Sequence, residues 1–160
     1  MSNQTQTGTP LHSKRMEDLR RKQSPISAEA QLAFEILRSR RQRERVFGAN
    51  LFADPAWDML LELFVQEERG NVTHVSSLCM ASAVPTTTAL RWIGTLTEAN
   101  LIERRPTGSN RKVEICLSRR ARMQVRRHLR ETLDAVARVA CPEAAAIRRA
   151  RSDCAISAIS

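Results

Sequence analysis

Three consecutive threonines, Thr86, Thr87 and Thr88, are followed three residues later by Arg91. On a helix this spacing puts hydroxyl and methyl groups at the leading end and a guanidinium one turn further on. A guanidinium can donate two hydrogen bonds to a guanine edge, and a threonine can bond a base or a phosphate while setting its methyl group against thymine. The free N–H groups and the dipole of a helix start favour a phosphate near Thr86 and Thr87. Further along, Arg104, Arg105, Arg111 and Lys112 flank the turn-forming run Thr107-Gly108-Ser109-Asn110. The plainer readings are a threonine capping run and an ordinary solvated hairpin. Such a hairpin would carry mixed charge, whereas these four cations are offset only by Glu103 and Glu114.

Catalytic chemistry lacks its parts. There is no Walker loop, no GxGxxG, no HExxH, and no Ser/His/Asp or Cys/His grouping with a recognisable spacing. Cys79, Cys116, Cys141 and Cys154 share no CxxC spacing and have no nearby histidine, so they read as reduced thiols. Cys79, on the first helix of the reading pair, is the one placed to act as a redox sensor. His12, His74 and His128 stand alone and read as surface or capping residues. The expectation is a protein that is not an enzyme, with no cofactor and no metal.

The elements that must position these residues follow from periodicity and punctuation. A short helix over 76–82, with Ser76 near its start, is followed by a tight turn at Ala83, Val84 and Pro85. A recognition helix over 86–99 comes next, and then a hairpin over 102–118. On the recognition helix Ala89, Trp92, Ile93 and Leu96 share a face that can bury. Thr87, Arg91, Gly94, Thr95 and Glu98 share the opposite one, and Thr88 and Leu90 lie at the leading end. Asn100 suits the left-handed position after the helix. Val113, Ile115 and Leu117 alternate with polar residues, as a half-buried strand does. The order helix, turn, helix, basic hairpin describes a winged helix-turn-helix. The recognition helix is sized for the major groove, and the wing reaches the adjacent backbone or minor groove.

The flanks read as follows. Residues 1–23 are polar and patternless, which predicts a disordered tail. Ser24-Pro25 or Ser27 then caps a helix running to about residue 47, where Leu32, Ala33, Ile36 and Leu37 give way to a run of arginines. Asp54-Pro55 opens a helix over 54–68 whose Trp57, Leu60, Leu61 and Phe64 form one apolar stripe. Residues 71–75 suit a short strand that closes the wing sheet. A long helix over 119–140 keeps Val125, Leu129, Leu133, Val136 and Ala140 on one seam, which needs a partner helix. Cys141-Pro142 stops it. The remainder, 141–160, reads as a tail that is helical in part.

Charge supports the same reading. The chain has 160 residues and a formal net charge of +9. Of its 26 lysines and arginines only Lys14, Lys22 and Lys112 are lysines. Helix 54–68 is acidic, and between residues 71 and 130 the acids are few. This segregation predicts a face toward a polyanion and a face away from it. No apolar run reaches the length of a membrane span and the N-terminus lacks the apolar stretch of a secretion signal, so the expected location is the bacterial cytoplasm, at the nucleoid.

At this point the chain resembles the MarR-type winged-helix transcriptional regulators, over roughly residues 26–140. The resemblance is carried by TTTALRWIGTLTEANLIERR, the basic wing and LSRRARMQ. It implies a mainly α fold with a small β-hairpin wing, and a homodimer whose N- and C-terminal helices, 24–47 and 119–140, interlace. Two recognition helices would then enter successive major grooves of a near-palindromic duplex. The family's wing commonly holds Asp two residues before its key arginine; here Ser109 precedes Arg111, so that orienting ion pair is missing. Ala121 stands where the family usually has Gly. Family members often take small phenolic ligands where the dimer and DNA lobes meet, and nothing in this sequence points to such an effector.

The expected function is sequence-specific binding of double-stranded DNA that regulates transcription. Ser76, Thr86, Thr87, Thr88, Arg91, Arg104, Arg105, Asn110, Arg111 and Lys112 are the candidate contacts. Two other classes remain open: a winged helix serving protein interaction in replication or chromosome maintenance, and a non-specific architectural DNA binder.

Overall fold

The computed structural model describes residues 26–48, 51–106 and 113–141. The expected tails, the wing turn 107–110 with Arg111 and Lys112, and the segment 142–160 lie outside those residues. The described part comprises α1 (Ala28–Phe47), α2 (Pro55–Glu68), β1 (Thr73–His74), α3 (Val75–Ala81), α4 (Thr86–Glu98), β2 (Ile102–Pro106), β3 (Val113–Leu117) and α5 (Arg119–Ala140). The three strands form one antiparallel sheet in the order β1-β3-β2. Helix, strand, two helices in tight succession and a hairpin returning beside the first strand make a winged helix-turn-helix, with α1 and α5 added at its flanks. No described helix is long and apolar enough to cross a membrane.

Local chemistry sets the helix ends. Ser27, the second of the two proposed caps, accepts from the Ala30 N–H at 3.2 Å, and its hydroxyl donates to Glu68 Oε2 at 2.8 Å. One side chain thus starts α1 and ties it to the end of α2. Asp54 caps α2 through the Trp57 N–H, with Pro55 in the first turn where its missing donor costs nothing. Ser118 caps α5 through the Ala121 N–H.

α2 is the centre of the fold. The sequence predicts one stripe, but Met59, Leu61, Leu63, Phe64 and Val65 are all buried, while Trp57 and Leu60 are only half-buried. The reason is that α2 touches α1, α3, α4, α5 and β3, so neighbours approach it from nearly every side. Trp57 lies at the margin, edge-to-face on His128 with ring centroids 5.3 Å apart. His128 is therefore not the isolated histidine that the sequence suggests.

The acids of α2 are not simply turned away from the basic stretch: Asp58, Glu67 and Glu68 are bound to arginines on both flanks. Arg122 holds Glu67 at 2.8 Å, Arg126 pairs with Glu68, and Arg130 reaches Glu29 at the start of α1 at 2.8 Å. Glu67 also accepts from the Leu117 N–H at 2.6 Å, which fixes the end of β3. A carboxylate beside guanidiniums is more favourable than one in water only when the pairing is close, and these helices bring it close. Much of the arginine excess is thus consumed internally.

The most buried of these pairs lies between α1, α2 and α3. Asp58 is 1% exposed. Its Oδ1 accepts from Arg40 Nε at 2.5 Å and its Oδ2 from Arg41 Nη1 at 3.3 Å. Arg41 also pairs with the buried Glu44 at 3.3 Å and donates to the Ala81 carbonyl at the end of α3. Burial pushes the Asp58 carboxyl up from its ordinary range, and the Arg40 hydrogen bond opposes it.

Removing Asp58 takes from Arg40 its closest partner and leaves Arg41 with Glu44 and the Ala81 carbonyl in a largely buried cluster. Asp58→Ala is expected to cost about 3–5 kcal/mol of unfolding free energy in chemical denaturation. A loss below about 1 kcal/mol would show that the cluster relaxes to solvent and holds nothing in place.

Candidate nucleic-acid interface

The helix pair is joined by a turn that the sequence reads correctly in place but not in conformation. Ser82 closes α3, its hydroxyl donating to the Cys79 carbonyl at 2.7 Å. Ala83 then adopts φ +53°, a left-handed backbone that costs a residue with a Cβ about 1–2 kcal/mol. Nothing in the residue type foretells this; the position would ordinarily be read as suited to glycine or asparagine.

α4 begins without a cap. Pro85 occupies the N-cap position and no side chain accepts the first N–H groups. The three threonines lie inside the helix rather than capping it, so the capping reading of that run does not describe the molecule. At the other end Asn100 has φ +55°, and the Leu101 N–H donates to the Leu96 carbonyl at 2.9 Å, closing the helix as expected.

The two faces of α4 largely follow the spacing. Ala89, Ile93 and Leu96 are buried, and Ile93 and Leu96 each contribute about 1.5–3 kcal/mol when fully removed from water. Thr86, Thr87, Arg91, Thr95 and Glu98 are exposed, Thr88 and Gly94 half-exposed. Trp92 departs from expectation: it is 37% exposed. At 100° per residue it sits on the flank of the Ala89-Ile93-Leu96 stripe rather than at its centre, and its indole is only partly covered. Arg91 makes no ion pair with any described residue, and the Thr95 hydroxyl donates to its carbonyl at 3.2 Å. Ser76 is exposed near the start of α3.

The hairpin divides its cations. β2 and β3 pair with Ile102 opposite Leu117, Arg104 opposite Ile115, Arg105 opposite Glu114 and Pro106 opposite Val113. Side chains alternate across a sheet, so Arg104 shares the face of the buried Ile102, Ile115 and Leu117. Arg105 is on the other face, where it donates to Glu103 at 3.0 Å and shares a polar hollow with Glu67, Glu114, Cys116 and Arg122. Glu103 holds the Arg105 guanidinium protonated more firmly than usual. The sequence groups these two arginines, and the sheet separates them. Val113, expected to be buried with Ile115 and Leu117, is 40% exposed because it lies beyond the edge of the core. Asn110, Arg111 and Lys112 lie outside the described residues.

His74 occupies the N-cap position of α3 without making a capping bond, and is half-buried. Burial pushes the thiols of Cys79 and Cys116 up, which favours the protonated, unreactive form at both. Cys79 is thus poorly suited to the sensor role the sequence left open. Among the described residues no three His, Cys, Asp or Glu side chains gather in a way that could hold a metal ion.

No family profile matches the chain, and no curated relative does. Among solved structures it is similar to MepR, a transcription regulator of the Staphylococcus aureus multidrug efflux pump MepA. That likeness has 13% identity over 96% of this chain and 100% of that one, at a TM-score of 0.46. It is similar also to AbsC, a MarR family transcriptional regulator from Streptomyces coelicolor, at 16% identity over 84% and 80% of the two chains and a TM-score of 0.41. A protein from Archaeoglobus fulgidus is similar at 18% identity over 59% of this chain and 96% of that one, TM-score 0.44. The winged-helix assignment rests on the chain's own strand order and helix succession.

The left-handed turn yields a stability test. Ala83→Gly relieves the steric cost while adding some unfolded-state entropy, so a net gain of about 0.5–1 kcal/mol is expected in thermal or chemical unfolding. A loss of stability would mean that the Ala83 methyl makes a favourable contact outweighing its backbone strain.

Proposed function

We propose that the protein is a homodimeric, sequence-specific binder of double-stranded DNA that regulates transcription. The observation that carries this reading is the orientation of α4. Its aliphatic stripe is locked into the core while Thr86, Thr87 and Arg91 stand outward at an uncapped helix start, beside a hairpin on which Arg104 is exposed. In this reading α4 enters the major groove with Arg91 and Thr86, Thr87 and Thr88 discriminating bases. Ser76 and the wing residues Arg104, Arg105, Asn110, Arg111 and Lys112 hold the backbone or minor groove. No catalytic step is involved, and the site of action is the cytoplasm.

A second copy is part of the reading because α5 outruns the core. Ala121, Val125 and Leu129 are buried, Leu133 is half-buried, and then Val136 and Val139 are exposed, the latter at 85%. The seam seen in the sequence therefore fills the core with its first half and presents its second half outward. The exposed Val46 and Phe47 at the end of α1 add apolar surface on the other flanking helix. Apolar area of this kind, set on two helices, suits a partner helix pair more than it suits water.

Selection of bound duplexes from a random library, followed by titration at several salt concentrations, tests the central claim. Arg91→Ala is expected to relax base preference and cost about 1–3 kcal/mol on the selected duplex, while Arg104→Ala weakens all duplexes alike and flattens the salt dependence. The reverse pattern would overturn the assignment of roles, and binding without sequence preference would identify an architectural binder. For the dimer, Val136→Glu combined with Val139→Glu is expected to shift sedimentation from dimer to monomer and to weaken binding to a two-fold duplex. An unchanged dimer would place the interface elsewhere.

A further inference from the structure

Beside the polar reading residues lies a surface that polar contacts do not explain. Met80 on α3 is 78% exposed, Leu90 on α4 is 44% exposed, and Val113 at the base of the wing is 40% exposed. These three, with Val75, Cys79 and Thr86, line one open groove between the two helices and the hairpin. Leu90 is one turn beyond Thr86, on the flank between the buried stripe and the outward face of Thr87 and Arg91. The spacing of α4 does not require an apolar residue there, since the core stripe is complete with Ala89, Ile93 and Leu96.

We propose that Leu90 and Met80, with Val113 at the margin, recognise thymine by contact with its methyl group, so that the preferred duplex carries thymine at the positions facing this groove. The inference rests on the DNA-binding reading above and deepens it. In the major groove the C5-methyl of thymine is the apolar group that the base edges present, and an aliphatic side chain is its natural complement. The groove opens beside Thr86 and adjoins the Arg91 face, so an occupant that meets those residues meets Leu90 as well. A hydroxyl or amide at position 90 would compete for polar edges; leucine makes no hydrogen bond and discriminates only through the methyl it covers. Its cost in water is exposed apolar area, which is recovered when a methyl group is buried against it.

The test uses the full-length protein and a duplex recovered from the random library. Each thymine is replaced singly by deoxyuridine, which deletes the methyl group and leaves the hydrogen-bonding edge intact. Wild type is expected to lose roughly three- to tenfold in affinity at one or two positions. Leu90→Ala and Met80→Ala, both at exposed positions and checked for an unchanged melting temperature, are expected to bind the thymine and uracil forms of at least one of those positions equally. Wild type binding every uracil duplex as tightly as its thymine parent would overturn the proposal while leaving DNA binding intact. Persistence of the full thymine preference in both variants would overturn it too, by placing the methyl contact on the threonines. Failure to retain any duplex would instead sink the DNA-binding reading on which it stands.

Discussion

The arrangement of this molecule depends on one carboxylate that has almost no contact with water. Asp58 sits on the central helix, 1% exposed, between the guanidiniums of Arg40 and Arg41. A buried carboxylate without partners would be strongly unfavourable, and two guanidiniums in the same place would be equally so. Each makes the other tolerable only if α1 and α2 keep a fixed register. Because Arg41 extends to the Ala81 carbonyl, that register also fixes where α3 ends and where the turn into α4 begins. The flanking helix α1 and the end of α3 are thus connected through one side chain.

The same economy explains which cations are left over. Arginines on α1 and α5 are drawn onto the acids of α2 and onto Glu29, through pairs separated in sequence by as many as 101 residues. Arg105 is occupied by Glu103. What stands outward near α4 is a small set, Arg91 and Arg104 among the described residues. A net charge of +9 overstates the field at the candidate interface, and the reading depends on the orientation of a few groups rather than on bulk basicity.

The helix-turn-helix also carries local cost. Ala83 is left-handed without the relief of glycine, α4 starts without a cap, and Met80 and Leu90 are exposed. Each departs from what stability alone would select, and all three lie within the helix-turn-helix. Local conflicts of this kind concentrate where a surface has a task other than packing.

The sequence determined the succession of elements, the cap at Asp54-Pro55, the left-handed Asn100 and most of the division of α4 into a buried and an outward side, and it narrowed the first cap to Ser24-Pro25 or Ser27. These are consequences of residue type and short-range periodicity, which a linear chain displays directly. Tertiary structure alone decided three things. It surrounded α2 and so buried Met59, Leu63 and Asp58, which no single stripe indicates. It paired acids with arginines across the chain, because an ion pair leaves no mark in spacing when its partners are far apart in sequence. It settled how far the core reaches along each element: Trp92 falls on the flank of its stripe, Val113 lies past the core edge, and the outer half of the α5 seam is left facing water. Periodicity states which side a residue is on, whereas the extent of burial is set by what packs against that side.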